Sequence, residues 1–197
     1  MGGERRLIPP HGGYRKLRSF QCAQLVYDAT VIFCGRFLDK NPRMRDQMIQ
    51  AARSGVQNIA EGSTASATSK KTELKLTGVA RASLEELLLD YEDFLRQNGL
   101  RRWQKDSAEA LAVRNKFREK ASDRSDGSDG SDGSDRSDPY CISTASAEAA
   151  ANMIICLINQ TSYLLGRQLR KLEQAFLNEG GFSERLYRAR RDSRRGE

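Results

Sequence analysis

At 197 residues, with 38% apolar and 30% charged side chains and a formal charge of +7, the sequence describes one core with attachments. The basic balance disfavours cationic ligands and points to nucleic acid, anionic lipid or an acidic protein face. The longest apolar run, MIICLI at 153–158, is far below the roughly 18–20 residues of a membrane span, and no apolar signal core opens the chain, so a soluble cytoplasmic protein is expected.

Residues 1–13 contain Gly2, Gly3, Pro9, Pro10, Gly12 and Gly13, which break regular structure and predict a flexible arm. From Tyr14 onward, Leu17, Phe20, Gln24, Tyr27, Val31, Cys34 and Leu38 recur at steps of three and four, the spacing of one helical face. This helix one ends near DKNP at 39–42. Helix two is expected from about Arg43 to Glu61, with Met44, Met48, Ala51, Ala52, Gly55 and Ile59 inward and Gly62 in the C′ position. Ser69 is a suitable N-cap for helix three, which runs to about Gln97 on Leu76, Ala80, Ser83, Leu84, Leu87, Leu88, Tyr91, Phe94 and Leu95. NGL at 98–100 stops it, so the first three helices occupy 14–100.

Residues 101–121 hold a further helix with a thin stripe of Leu111, Val113 and Phe117. The segment 122–139 repeats a Ser-Asp-led step of three residues and has nothing to bury, so a disordered acidic linker is expected. Neither an EF-hand nor a repeat-type calcium coil fits its spacing. Helix four takes up 140–179 on Ile155, Ile158, Ser162, Leu165, Leu169, Leu172 and Phe176, and Gly180-Gly181 leads into a basic tail, 180–197. With no strand-like alternation anywhere, the expected fold is all-α: an antiparallel up-down four-helix bundle with an acidic insertion between helices three and four.

Chemistry is sparse. The only histidine is His11, in the arm; Cys22, Cys34, Cys141 and Cys156 lack ligand spacing and read as reduced, mostly buried side chains; no phosphate loop is present. Glu85, Glu86, Asp90, Glu92 and Asp93 read as a solvated face. The expectation is a protein without catalysis, cofactor or metal. Cations are better organised: Arg15, Lys16 and Arg18 open helix one, Arg43 and Arg45 open helix two with Arg53 further along, and Lys70, Lys71 and Lys75 open helix three ahead of Arg81. The tail adds Arg185, Arg188, Arg190, Arg191, Arg194 and Arg195. Because the helix dipole disfavours cations at helix starts, local stability does not explain them, whereas neutralisation of phosphates does.

The stretch DQMIQAARSGVQNIAEGS, followed by KKTELKLTGVARASLEELLLDYEDFL, resembles the four-helix-bundle family of proteins encoded by intervening sequences of large ribosomal RNA genes. That family also holds the accessory variability determinants of diversity-generating retroelements. The resemblance rests on Gln47, Ser54, Asn58, Ile59, Glu61 and Gly62, then Ala80, Ser83, Glu86 and Leu87. It is close over 14–100 and looser over 144–178, where the Gly-Gly and basic tail look like the family's C-terminal suffix variant. Residues 101–138 are an insertion relative to that pattern. The resemblance implies a ring-like pentamer and, in the retroelement branch, binding of nucleic acid and of a reverse transcriptase.

From the residues themselves, Ala51, Ala52, Ser54 and Gly55 would let a second helix approach, and Asn58 is expected to bond across to Ser83. A second apolar set on helix three, Leu74, Leu84, Leu88 and Leu95, predicts a buried contact with another copy. The combined expectation is a basic module that binds nucleic acid without sequence specificity; the rival is an oligomeric scaffold for an acidic protein partner.

Overall fold

The computed structural model describes residues 13–122 and 138–195, and every regular element among them is helical. A 3-10 turn, Gly13–Lys16, precedes α1 (Arg18–Phe37), α2 (Pro42–Ala65), α3 (Lys70–Gln97), α4 (Ala108–Ser122), α5 (Ala147–Glu179) and α6 (Phe182–Arg195). The expected arm and Ser-Asp linker lie, apart from their edges, outside the described residues. The helix four expected from sequence is α5.

Local chemistry sets the boundaries. Asn41 accepts a bond from the Met44 amide at 3.3 Å with Pro42 behind it, Ser69 from Thr72 at 3.1 Å, and Ser146 from Ala149 at 3.2 Å, each relieving an orphan donor of a first turn. At the end of α3, Gly99 takes φ +64°, the Leu100 amide reaches the Leu95 carbonyl at 2.9 Å and the Gly99 amide reaches that of Arg96. That pair of bonds closes the helix where NGL predicted. By contrast, α5 starts at Ala147 and not at 140: residues 138–146 form turns, with Cys141 at φ +56°. Arg36 ties these turns to α1 by donating to the carbonyls of Ile142 and Ala145.

α1 packs on α2 and α5, and α3 packs on the same two, with α4 laid on α5. The core between them holds Phe20, Val26, Phe33, Met48, Ile59, Leu84, Leu87, Tyr91, Ile154 and Ile158. Phe33 meets Tyr91 and Phe94 edge-on, each at 5.0 Å. The fully buried Tyr91 hydroxyl donates to Thr30 at 3.1 Å, whose own hydroxyl donates to the Val26 carbonyl at 2.7 Å, so the polar atoms crossing the core are satisfied.

Several expectations shift. The buried face of α1 is centred on Phe20, Ala23, Val26, Thr30 and Phe33, and Val31 is 42% exposed. Small residues there count as inward, which the apolar spacing alone did not weigh. Leu84, Leu88 and Leu95 are buried within the chain, so the second stripe of α3 needs no other copy to cover it. Gly62 is not a C′ residue: α2 continues to Ala65 and Gly62 is buried inside it.

The reason is the neighbouring helix. A Cβ on Gly62 would lie 3.3 Å from the Leu76 Cβ and 3.4 Å from the Glu73 carbonyl oxygen, and one on Gly55 would lie 3.0 Å from Leu84. Between these contacts the Ser54 and Ser83 hydroxyls bond at 3.0 Å. Asn58 donates to the Ser54 carbonyl at 2.9 Å and hydroxyl at 3.1 Å, so it orients Ser54 on its own helix and Ser54 makes the cross-helix bond expected of Asn58. Gly62→Val should therefore lower the unfolding free energy by about 1–3 kcal/mol through overpacking. Urea denaturation checks this, and an unchanged midpoint would show that α2 and α3 are not in close contact at Gly62.

Candidate polyanion-binding end

Antiparallel contacts bring distant helix termini together. The Gly13–Lys16 turn packs on α2, and Ser19 at the start of α1 donates to Gln168 of α5 at 2.8 Å. The end of α2, the start of α3 and the last third of α5 therefore share one end of the molecule with the start of α1. The opposite end holds the turn at 38–41, the segment 98–103 and the turns before α5. There, Asn152, buried in α5, accepts from the Trp103 amide at 2.8 Å and donates to the Arg101 carbonyl at 2.8 Å.

The first end is basic. Arg15, Lys16 and Arg18 are exposed, with the Arg15 guanidinium 5.5 Å from the Tyr14 ring and that of Arg18 5.7 Å from the ring of Phe117 on α4. Lys71 and Lys75 are exposed and Lys70 half-buried in the first turns of α3; Arg81, also exposed, lies further along. To these the structure adds Arg167, Arg170 and Lys171 of α5, all exposed, which the sequence alone did not single out. An antiparallel placement of α1 and α5 was the available signal. Opposing carboxylates at this end are few: Glu61 is exposed, and Glu73 is buried, its carboxyl raised above the usual range by burial against a smaller opposing effect of Lys70.

The basic tail is not a loose segment. It forms α6, and Arg188, Arg190, Arg191 and Arg194 project from it exposed, with Arg185 on the same helix. Gly180, at φ +72°, makes the corner between α5 and α6. Tyr187, 68% exposed, stands beside Arg188 and Arg191 around a shallow groove.

Other predicted residues fall elsewhere. Arg43 and Arg45 begin α2 at the opposite end, Arg45 with its Nε 3.4 Å from Asp46, and Arg53 is exposed midway along α2. Gln47, Glu61 and Glu86 are exposed, so the shared motif splits into a packed part, Ser54, Asn58, Gly62 and Ser83, and a solvent-facing part. The second half of α3 is acidic. Glu92 pairs with Arg102 at 2.6 Å and Asp93 with Arg96 at 2.8 Å, while burial and the charges of Asp93 and Glu86 hold Asp90 above the usual carboxylate range. The described chain is thus electrically polar along its length.

Nucleophilic chemistry has little support. Burial pushes the thiols of Cys22 and Cys34 up to about 12, Cys156 is raised by the same cause, and Cys141 is the exposed exception to the expectation of buried cysteines. Among the described residues no group of three His, Cys, Asp or Glu side chains converges to hold a metal; His11 lies outside them. A raised thiol pKa shrinks the thiolate fraction at pH 8, so Ellman's reagent should modify Cys141 promptly and Cys22 and Cys34 only after denaturation, which restores a pKa of about 8.5. Prompt reaction of Cys22 or Cys34 in the native protein would contradict this packing.

Comparison with protein-family models, curated proteins and solved structures returns no match.

Proposed function

We propose that this chain is a non-enzymatic binding module, an antiparallel up-down four-helix bundle of α1, α2, α3 and α5, that takes nucleic acid at its basic end. The observation that carries this reading is the gathering of Arg15, Lys16, Arg18, Lys70 and Lys71 with Arg167, Arg170, Lys171 and the arginines of α6. Cations at the starts of α1 and α3 work against the helix dipole by a few tenths of a kcal/mol each. Contact with a polyanion offsets that cost, because each neutralised phosphate releases condensed counterions.

Recognition by charge on rigid helices gives affinity without sequence readout. Tyr187 offers one exposed ring beside two arginines, enough to stack a base of a single strand, while Trp103 is half-buried at the far end. The sequence resemblance to retroelement accessory proteins supports a role beside a reverse transcriptase, with the bundle presenting the nucleic acid and the polymerase supplying the chemistry.

Removing residues after Gly181 should weaken binding of single-stranded DNA or RNA and flatten its dependence on salt by about 0.7 log unit per log unit of salt for each phosphate that is no longer neutralised. Replacing Arg43 and Arg45 by Glu, at the opposite end, should leave both unchanged. Fluorescence anisotropy over a salt series reads the two variants. Equal weakening in both would remove the basic end as the site, and wild-type protein that binds neither DNA nor RNA at low salt would transfer the basic surface to an acidic protein partner.

A further inference from the structure

Among the described elements, α3 packs on α2 and α5, and α4 packs on α5, which leaves the outer face of α3 uncovered. Along it Lys71, Lys75, Val79, Ala82, Glu86 and Asp90 recur at steps of four and three, the spacing of a seam between two helices. Lys71, Lys75, Ala82 and Glu86 are exposed, Val79 is 39% exposed and Asp90 is half-buried.

The order of these residues is self-complementary. About the Ala80–Arg81 peptide bond, Lys71 stands as far to one side as Asp90 to the other, Lys75 as far as Glu86, and Val79 as far as Ala82. A two-fold axis through that point lays a second α3 antiparallel and sets each ammonium opposite a carboxylate. A parallel pairing in the same register sets Lys on Lys and Glu on Glu. The centre of the face is also the place where backbones can come close: Ala82 is small, and beside it Gly78 has open space where a Cβ would stand. Small residues at a crossing point bring helix axes toward the short end of the usual 8–10 Å separation.

We propose that two copies of this chain pair antiparallel through the outer face of α3, with Lys71 facing the partner's Asp90 and Lys75 facing the partner's Glu86. This goes beyond the polyanion reading and does not depend on it. An isologous contact of this kind closes at two chains. Exposed ion pairs are individually weak and screened by salt, so the dimer is a low-salt, concentration-dependent species. Asp90, whose carboxyl is raised by burial and by its acidic neighbours, gains a cation that favours its charged form.

Multi-angle light scattering of the full chain at low ionic strength tests this directly. Wild-type protein is expected at twice the chain mass of 22.1 kDa as concentration rises. Lys71→Glu with Lys75→Glu makes the face acidic, and Glu86→Lys with Asp90→Lys makes it basic; each variant alone should remain a single chain, and an equimolar mixture should recover the double mass. Circular dichroism confirms that each is folded, and Glu86→Lys alone replaces the second variant if Asp90→Lys unfolds the chain. A wild-type monomer, a wild-type mass of five chains, a variant that self-associates as the wild type does, or a mixture that stays monomeric overturns the proposal. Because mass is read without nucleic acid, such a failure leaves the polyanion reading standing.

Discussion

The close approach of α2 to α3 governs where everything else in this molecule sits. Gly55 and Gly62 stand two turns apart on one face of α2, and at each the space a side chain would need is filled by α3: Leu84 at the first, Leu76 and the Glu73 carbonyl at the second. The Ser54–Ser83 bond between half-buried and buried hydroxyls adds about 0.5–1.5 kcal/mol and, more usefully, penalises any slip of one helix along the other. With that register set, the last turn of α2 and the first turn of α3 meet at one end, and Lys70 and Lys71 are carried there as a consequence.

Charge follows from topology. Each helix alone has an ordinary mixture of signs, but antiparallel packing places the start of α1 with the start of α3 and the last third of α5, and the cations add up there. The acidic second half of α3 is carried to the other end, where Arg96, Arg101 and Arg102 answer part of it. Such separation strengthens the field at the basic end beyond what a net charge of +7 spread evenly would give. Polyanion binding and self-pairing of α3 both exploit this one arrangement, the first at the pole and the second along the axis.

Helix positions were largely legible in the sequence because caps and stops are local chemistry: Ser69 and Gly99 act where their side chain or missing Cβ predicts. What could not be read was what small residues face. Gly62 followed by polar residues looks like a helix end, and only the presence of Leu76 across the interface shows why the helix runs on through it. Thr30 and Ala23 are central to α1 although neither is strongly apolar, which rotated the expected face and left Val31 in solvent. At the basic end, Arg15, Lys16, Arg18, Lys70 and Lys71 were legible from sequence; Arg167, Arg170 and Lys171 were not, since their membership depends on α5 running antiparallel to α1. The tail is recognisably basic but not recognisably a stable helix, because arginines spaced for a helix look the same in an unfolded segment.

The measurement that bears most directly on this account is a disulfide between α2 and α3. A Cβ at position 62 lies 3.3 Å from that of Leu76, just short of the 3.5–4.5 Å common for bonded cysteines and brought into that range by a shift of a few tenths of an ångström. Gly62→Cys combined with Leu76→Cys should oxidise in air to a single chain cross-linked between these positions, identified by peptide mapping against Cys22, Cys34, Cys141 and Cys156. Gly62→Cys with Val79→Cys, whose side chain faces solvent, should not. Cross-linking of the second pair in preference to the first, or of neither, would show that α2 and α3 do not meet in this register, and the placement of the basic end would fall with it.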